Sequence, residues 1–171
     1  MKKFTAEATY SVPAARVREI QTSEKFVDFL AARFAGEVGA EVRSRSVVQE
    51  GDVTVATATV HVSPDSLPSM AGRLLPQGAD VTITQRWNAP APDGSHTGEF
   101  LVGVRPDKGS MRADFVLRDT GEGSRREYDG QLSVNVPLVG GAIENKALGY
   151  TDRLMGIERR VLELYLDEHG K

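Results

Sequence analysis

The stretch "NVPLVGGAIENK", Asn135 to Lys146, offers a glycine pair that could grip a phosphate. A nucleotidase-type phosphate loop needs G-x-x-x-x-G-K-[ST], and this stretch has neither that spacing nor the lysine–hydroxyl pair. Read as a hinge between a strand and a helix, every residue has a use. Pro137 lacks an N–H and stops a strand ladder. Gly140-Gly141 permits a sharp reversal. With Gly141 as N-cap, Glu144 falls at the third helical position, where its carboxylate can reach back to the cap N–H and meet the positive helix end. His61, His96 and His169 form no metal or H-E-x-x-H spacing, no G-x-S-x-G occurs, and the pairs Arg125-Arg126 and Arg159-Arg160 read as solvated. The polar residues of interest are those in phase with apolar ones. Gln85 stands between Ile83 and Trp87, and Tyr10, Tyr128 and Tyr150 point the same way. A buried amide or phenol must find a partner, which is either a ligand or other protein groups.

The elements that would position these residues follow from periodicity. "KKFTAEATY" alternates, with Phe4, Ala6, Ala8 and Tyr10 on one face, as in a half-buried strand. Next come two short helices, one with Ser11 as cap and Pro13 in its first turn, the other over "TSEKFVDFLAARF" behind a Ser23 cap. Gly36 and Gly39 end that helical signal. Six strands are expected at about 41–49, 52–62, 79–88, 97–106, 110–119 and 124–136, joined by turn chemistry such as Glu50-Gly51-Asp52 and "APAPDG". The last four share an apolar face that includes Trp87, Phe100, Phe115 and Tyr128, while Thr82, Arg86, Arg112, Asp114 and Asp129 lie on a wet one. The segment 142–168 carries Ile143, Ala147, Tyr150, Leu154, Ile157, Val161 and Leu164 at alternating steps of four and three. A helix of that length spans about 39 Å and must cover the sheet's apolar face. Gly149 and Gly156 fall on nearly one side of it, where a backbone could approach closely or the helix could bend.

Bulk properties narrow the partners. At 171 residues the chain reads as a single domain, 1–171, with 40% hydrophobic and 26% charged residues. A net charge of −3 gives no electrostatic reason to expect nucleic acid. No cysteine is present, so disulfides and thiolate chemistry are excluded. "MKKFTAEATY" has no apolar run, so a signal peptide is not expected, nor is integral membrane association, and the expected location is cytoplasmic.

Strand, two helices, six strands and one long helix opened by "VPLVGGAIENKAL" is an order that resembles the START/SRPBCC superfamily. Its helix-grip fold is shared by steroid-transfer domains, the major birch-pollen allergen and bacterial aromatase/cyclases. The chain looks most similar to an actinobacterial family of unknown function in that superfamily. The resemblance covers nearly all of the chain. It implies an α+β fold, a curved antiparallel sheet of about seven strands wrapped around the C-terminal helix, with an apolar cavity between them. One departure stands out: "SPDSLPSMAGRLLPQG", Ser63 to Gly78, replaces a short turn between the third and fourth strands. Leu67, Met70 and Leu74 share a helical face there, so the segment is either a short lid helix or a loop that caps the core.

These readings lead to a binding module for a hydrophobic small molecule such as a lipid, polyketide or isoprenoid. The expected lining is Gln85, Trp87, Phe100, Phe115, Tyr128, Ala147, Tyr150 and Leu154, with Met70 from the lid. Catalytic residues, metal and cofactor are not expected, and a homodimer is left open. Two alternatives stand beside it. One is an aromatase/cyclase- or dehydratase-like enzyme using the same cavity; the other is a partner-binding protein with a filled core.

Overall fold

A computed structural model describes residues 1–67, 69–105, 109–135 and 140–170. Seven strands form one antiparallel sheet: β1 (Lys2–Tyr10), β2 (Ala40–Glu50), β3 (Val53–Val62), β4 (Ala79–Trp87), β5 (His96–Arg105), β6 (Gly109–Thr120) and β7 (Gly123–Val134). Their order is β1-β7-β6-β5-β4-β3-β2, so the first strand is brought round to pair with the last. The ladder sets Tyr128 opposite both Ala6 and Phe115, and Gln85 opposite both Ala56 and Phe100, which carries the apolar alternation across neighbouring strands.

The helices are α1 (Ala14–Gln21), α2 (Glu24–Val38), α3 (Ser69–Leu74) and α4 (Gly140–His169), with a 3-10 turn at Pro64–Ser66. Pro13, not Ser11, is the N-cap of α1. The Ser11 backbone N–H and hydroxyl instead donate to Glu163, at 3.0 and 2.7 Å, which ties the end of β1 to α4. Ser23 caps α2 as its position implies, accepting from Phe26 N at 3.2 Å. Gly36 does not end α2. Gly39 does, in the left-handed region at φ 67°. A side chain there would also collide with Ser66, so the glycine lets the 3-10 turn sit against the end of α2.

The concave face has two covers where the helix stripe alone suggested one. The helix α4 packs along β1 and β7, and α2 packs on β2 and β3 and against α4. Lying over one side of a wide curved sheet, α4 cannot reach the other, and α2 closes the gap. Phe26 and Phe29 of α2 meet the Tyr165 ring edge-on, at 5.3 and 5.5 Å.

The helix α4 starts at Gly140, so Gly140-Gly141 belongs to its first turn and does not form a loop ahead of it. Val136–Val139, including Pro137, lie outside the described residues. The Glu144 carboxylate takes the Met1 ammonium at 2.8 Å. The buried stripe keeps Ile157 and Val161 of the expected one, with Met155, Leu162 and Leu166 beside them, but it is turned at its edge: Thr151, Glu158 and Tyr165 are buried, while Leu164 is 40% exposed. A Cβ at Gly149 or Gly156 would meet no neighbour, so neither marks a close backbone approach. Leu67 lies before α3, Leu74 is exposed and Leu75 is the buried leucine of that segment.

This orientation of α4 gives a direct test. Leu162→Ala removes a fully buried side chain and should cost about 2–5 kcal/mol, whereas Leu164→Ala should stay within about 0.5 kcal/mol of wild type in urea titration. Equal losses would mean that α4 lies on the sheet in another rotation.

Candidate functional site

The most unusual feature of the interior is charge. Arg126 is 0% exposed and Glu158 4%. Arg126 shares the inward phase of β7 with Tyr128 and Leu132, so the strand that puts those residues in the core puts the guanidinium there too. The pair Arg125-Arg126 is therefore split: Arg125 is solvated and Arg126 is not. Arg159 and Arg160 are both exposed.

An isolated buried cation is costly, and this one is enclosed on several sides. Its Cζ lies 3.8 Å from the Phe115 ring centre, 4.7 Å from Trp87 and 4.9 Å from Tyr128. A ring face attracts a desolvated cation by about 2 kcal/mol or more. The cage leaves Arg126 Nε and Nη1, Trp87 Nε1 and the Tyr128 hydroxyl without hydrogen-bond partners among the described residues.

The remaining compensation is a directed chain of hydrogen bonds. Arg126 Nη2 donates to Gln85 Oε1 at 2.9 Å, and Gln85 Nε2 donates to Gln21 Oε1 at 3.1 Å. Gln21 Nε2 donates to Glu158 Oε1. The Tyr10 hydroxyl donates to Glu158 Oε2 at 2.8 Å. The direction is not arbitrary: a guanidinium has no acceptor, so Gln85 must present its oxygen to it, and each later amide orientation follows. Glu158 is the terminal acceptor, and its Oε1 stands 3.8 Å from Arg126 Nη1. Burial pushes the Glu158 carboxyl above the usual range, and Arg126 and Tyr10 hold it back. Burial and then the Glu158 charge push the Tyr10 phenol well up, so its O–H stays a donor. The Tyr128 phenol is likewise raised, first by burial.

Two cavities lie between the helices and the sheet; the smaller touches this chain, and the larger is open to solvent. The larger, about 620 Å³, lies between α4, α2 and strands β5, β6 and β7. Its walls include Phe34, Val102, Met111, Leu132, Ala147 and Leu154. Ser66 and Leu67, just ahead of α3, close one side, while Glu37 and Arg153 add charge. The smaller, about 50 Å³, is lined by Gln21, Gln85 and Glu158 together with apolar groups such as Phe26 and Phe100. Phe34, Leu154 and Ile157 line both, so these three side chains form the partition.

The expected site residues divide accordingly. Ala147 and Leu154 line the larger cavity, and Gln85, Phe100 and Leu154 the smaller. Trp87, Phe115 and Tyr128 enclose Arg126 and line neither. The side chains of Met70 and Tyr150 lie outside the described residues. Sequence reasoning missed Arg126, Glu158 and Gln21. The first two carried a legible signal: Arg126 is in phase with Tyr128, and Glu158 falls inside the α4 stripe between Leu154 and Val161.

Comparison with known proteins bears on the fold. The family model described as a protein of unknown function, DUF2505, matches residues 5–166. No curated protein matches the chain. Among solved structures the chain is similar to TTHA0849 from Thermus thermophilus, with a TM-score of 0.56 and 19% identity over 95% of this chain and 99% of that one. It is similar to Ara h 8.0201, with a TM-score of 0.55 and 12% identity over 98% and 99% of the two chains. Human STARD10 matches with a TM-score of 0.58 and 8% identity over 98% of this chain and 66% of its own. At such identities the likeness shows the fold, which is START-like, a helix-grip of sheet around α4. Among the described residues no helix is long and apolar enough to cross a membrane.

The coupling of the buried charges can be measured. Arg126→Met leaves a buried carboxylate uncompensated and should cost about 3–5 kcal/mol. Adding Glu158→Gln should restore part of that loss, giving a coupling above about 1 kcal/mol in a double-mutant cycle. Strict additivity would show that the two groups do not sense each other.

Proposed function

The chain belongs to the DUF2505 family, and we propose that it binds a hydrophobic small molecule between α4, α2 and the sheet. The observation that carries this reading is the cavity of about 620 Å³ with Val102, Met111, Leu132, Ala147 and Leu154 in its walls. Ligand pockets of small molecules fall in the range of roughly 300–1,000 Å³ and are lined mainly by apolar groups with a few polar ones. The START-like fold supports the reading, since it sets a long helix across a concave apolar face. Which lipid, polyketide or isoprenoid is held, and the assignment of residues 1–171 to one binding domain, are parts of the same proposal.

The enzyme reading has less to draw on. Glu158 and Tyr10 are an acid–base pair by type, but each is engaged by the other and by the chain to Arg126.

Native mass spectrometry of freshly purified protein should show a small molecule bound, and a neutral apolar dye should fluoresce on mixing. Ala147 is a small side chain on the cavity wall. Ala147→Trp should therefore abolish dye uptake while the circular dichroism spectrum stays that of the wild type. Undiminished uptake by that variant would move the site elsewhere.

The segment beside the cavity mouth yields a second outcome. A six-residue helix with Gly72 inside it has little stability of its own. Amides of residues 69–75 should exchange hydrogen faster than those of β3 and β4, and slow when the dye is bound. Exchange as slow as in the sheet without any ligand would make the segment fixed core.

A further inference from the structure

We propose that the ligand ends in a hydroxyl group, and that this hydroxyl occupies the small chamber walled by Gln21, Gln85 and Glu158. The proposal rests on the reading of the larger cavity as a binding site and specifies what that site selects.

The first ground is the hydrogen-bonding capacity left over by the chain. A glutamine amide carries two N–H donors. Gln85 spends one on Gln21, and Gln21 spends one on Glu158. Each keeps a second N–H with no partner among the described residues. Glu158 accepts from Gln21 on one oxygen and from Tyr10 on the other, which leaves lone pairs on both. The chamber wall thus includes spare donors and an acceptor among otherwise apolar groups. A hydroxyl is the small group that can accept from an amide and donate to a carboxylate at once. An ether or ketone oxygen satisfies only the amides.

The second ground is size and charge. At about 50 Å³ the chamber is far smaller than the neighbouring cavity and has room for a small polar group. A hydroxyl and its carbon fit there, while a phosphate head would bring negative charge against Glu158. A carboxylate would meet the like charge of Glu158, and the one cation beside it, Arg126, is already balanced by Glu158 itself. Arg126 is not part of the chamber wall, and its accessible donor is committed to Gln85.

The third ground is access. Phe34, Leu154 and Ile157 alone face both spaces. Phe34 and Leu154 are only half-buried, and on this proposal the ligand displaces one of them to join the chamber to the apolar cavity. A chain or ring system then lies in the large cavity with its hydroxyl in the small one.

The test is competition against the neutral dye N-phenylnaphthylamine, with dodecanol, dodecanoate and undecyl methyl ether as competitors of similar length. Dodecanol should displace the dye at roughly tenfold lower concentration than either of the others, the size expected for one hydrogen bond to a charged group. In Gln85→Met, which removes an amide from the wall, that preference should fall to about threefold or less. Equal displacement by the three competitors, or a preference for dodecanoate, overturns the hydroxyl assignment and leaves the cavity reading intact. Failure of the wild-type protein to take up any dye overturns the cavity reading and this assignment with it. The wild-type comparison decides the matter even if Gln85→Met does not fold.

Discussion

The interior of this protein is organised by the need to accommodate a buried guanidinium. Taking Arg126 and Glu158 out of water costs several kcal/mol for each ion, and their mutual attraction offsets that only when the geometry and the surrounding hydrogen bonds are good. At 3.8 Å the pair is not in direct hydrogen-bonding contact. The compensation is spread over other elements: β4 contributes Gln85, α1 contributes Gln21, β1 contributes Tyr10, and three aromatic rings from β4, β6 and β7 surround the cation. Five hydrogen-bonding side chains from five elements must therefore be placed together, and each helps fix how its element packs.

That requirement divides the concave face into two regions. Around Arg126 the rings of Trp87, Phe115 and Tyr128 close the core and line neither of the two cavities. Towards the other end of α4 the facing side chains are apolar and smaller, and the cavity of about 620 Å³ lies there. Gln21, Gln85 and Glu158 sit between the two regions and form the polar wall of the small chamber. The same amides that carry the donor chain from Arg126 to Glu158 are the ones with N–H groups to spare. Structural compensation and recognition of a ligand would then be two uses of one network.

The cover over the sheet is shared for a related reason. The helix α4 contributes Glu158 and must lie over β1 and β7, where Tyr10 and Arg126 are. In that position it leaves β2 and β3 to α2. The seam between α2 and α4 is where Phe34, Leu154 and Ile157 separate the cavities. Gly39 ends α2 and admits the 3-10 turn that borders the larger cavity, so the same junction shapes the cavity's edge.

The period-two alternation of the strands, the Ser23 cap and the long stripe from 142 onward determined the element order and the START-like fold, because those signals are local and each residue's phase follows from its neighbours. The apolar phases of β4 to β7 placed Gln85, Trp87, Phe100, Phe115 and Tyr128 inside for the same reason. What only tertiary structure decided is which inward residues meet a cavity and which meet each other. Trp87, Phe115 and Tyr128 look like lining in sequence but surround Arg126, since a charge in phase with them claims their faces first. The rotation of α4 that exposes Leu164 and buries Glu158 depends on partners about 150 residues away in sequence, Tyr10 and Gln21 among them. A helix stripe containing leucines on several sides does not choose its own inward face; the carboxylate that must reach a phenol and an amide chooses it.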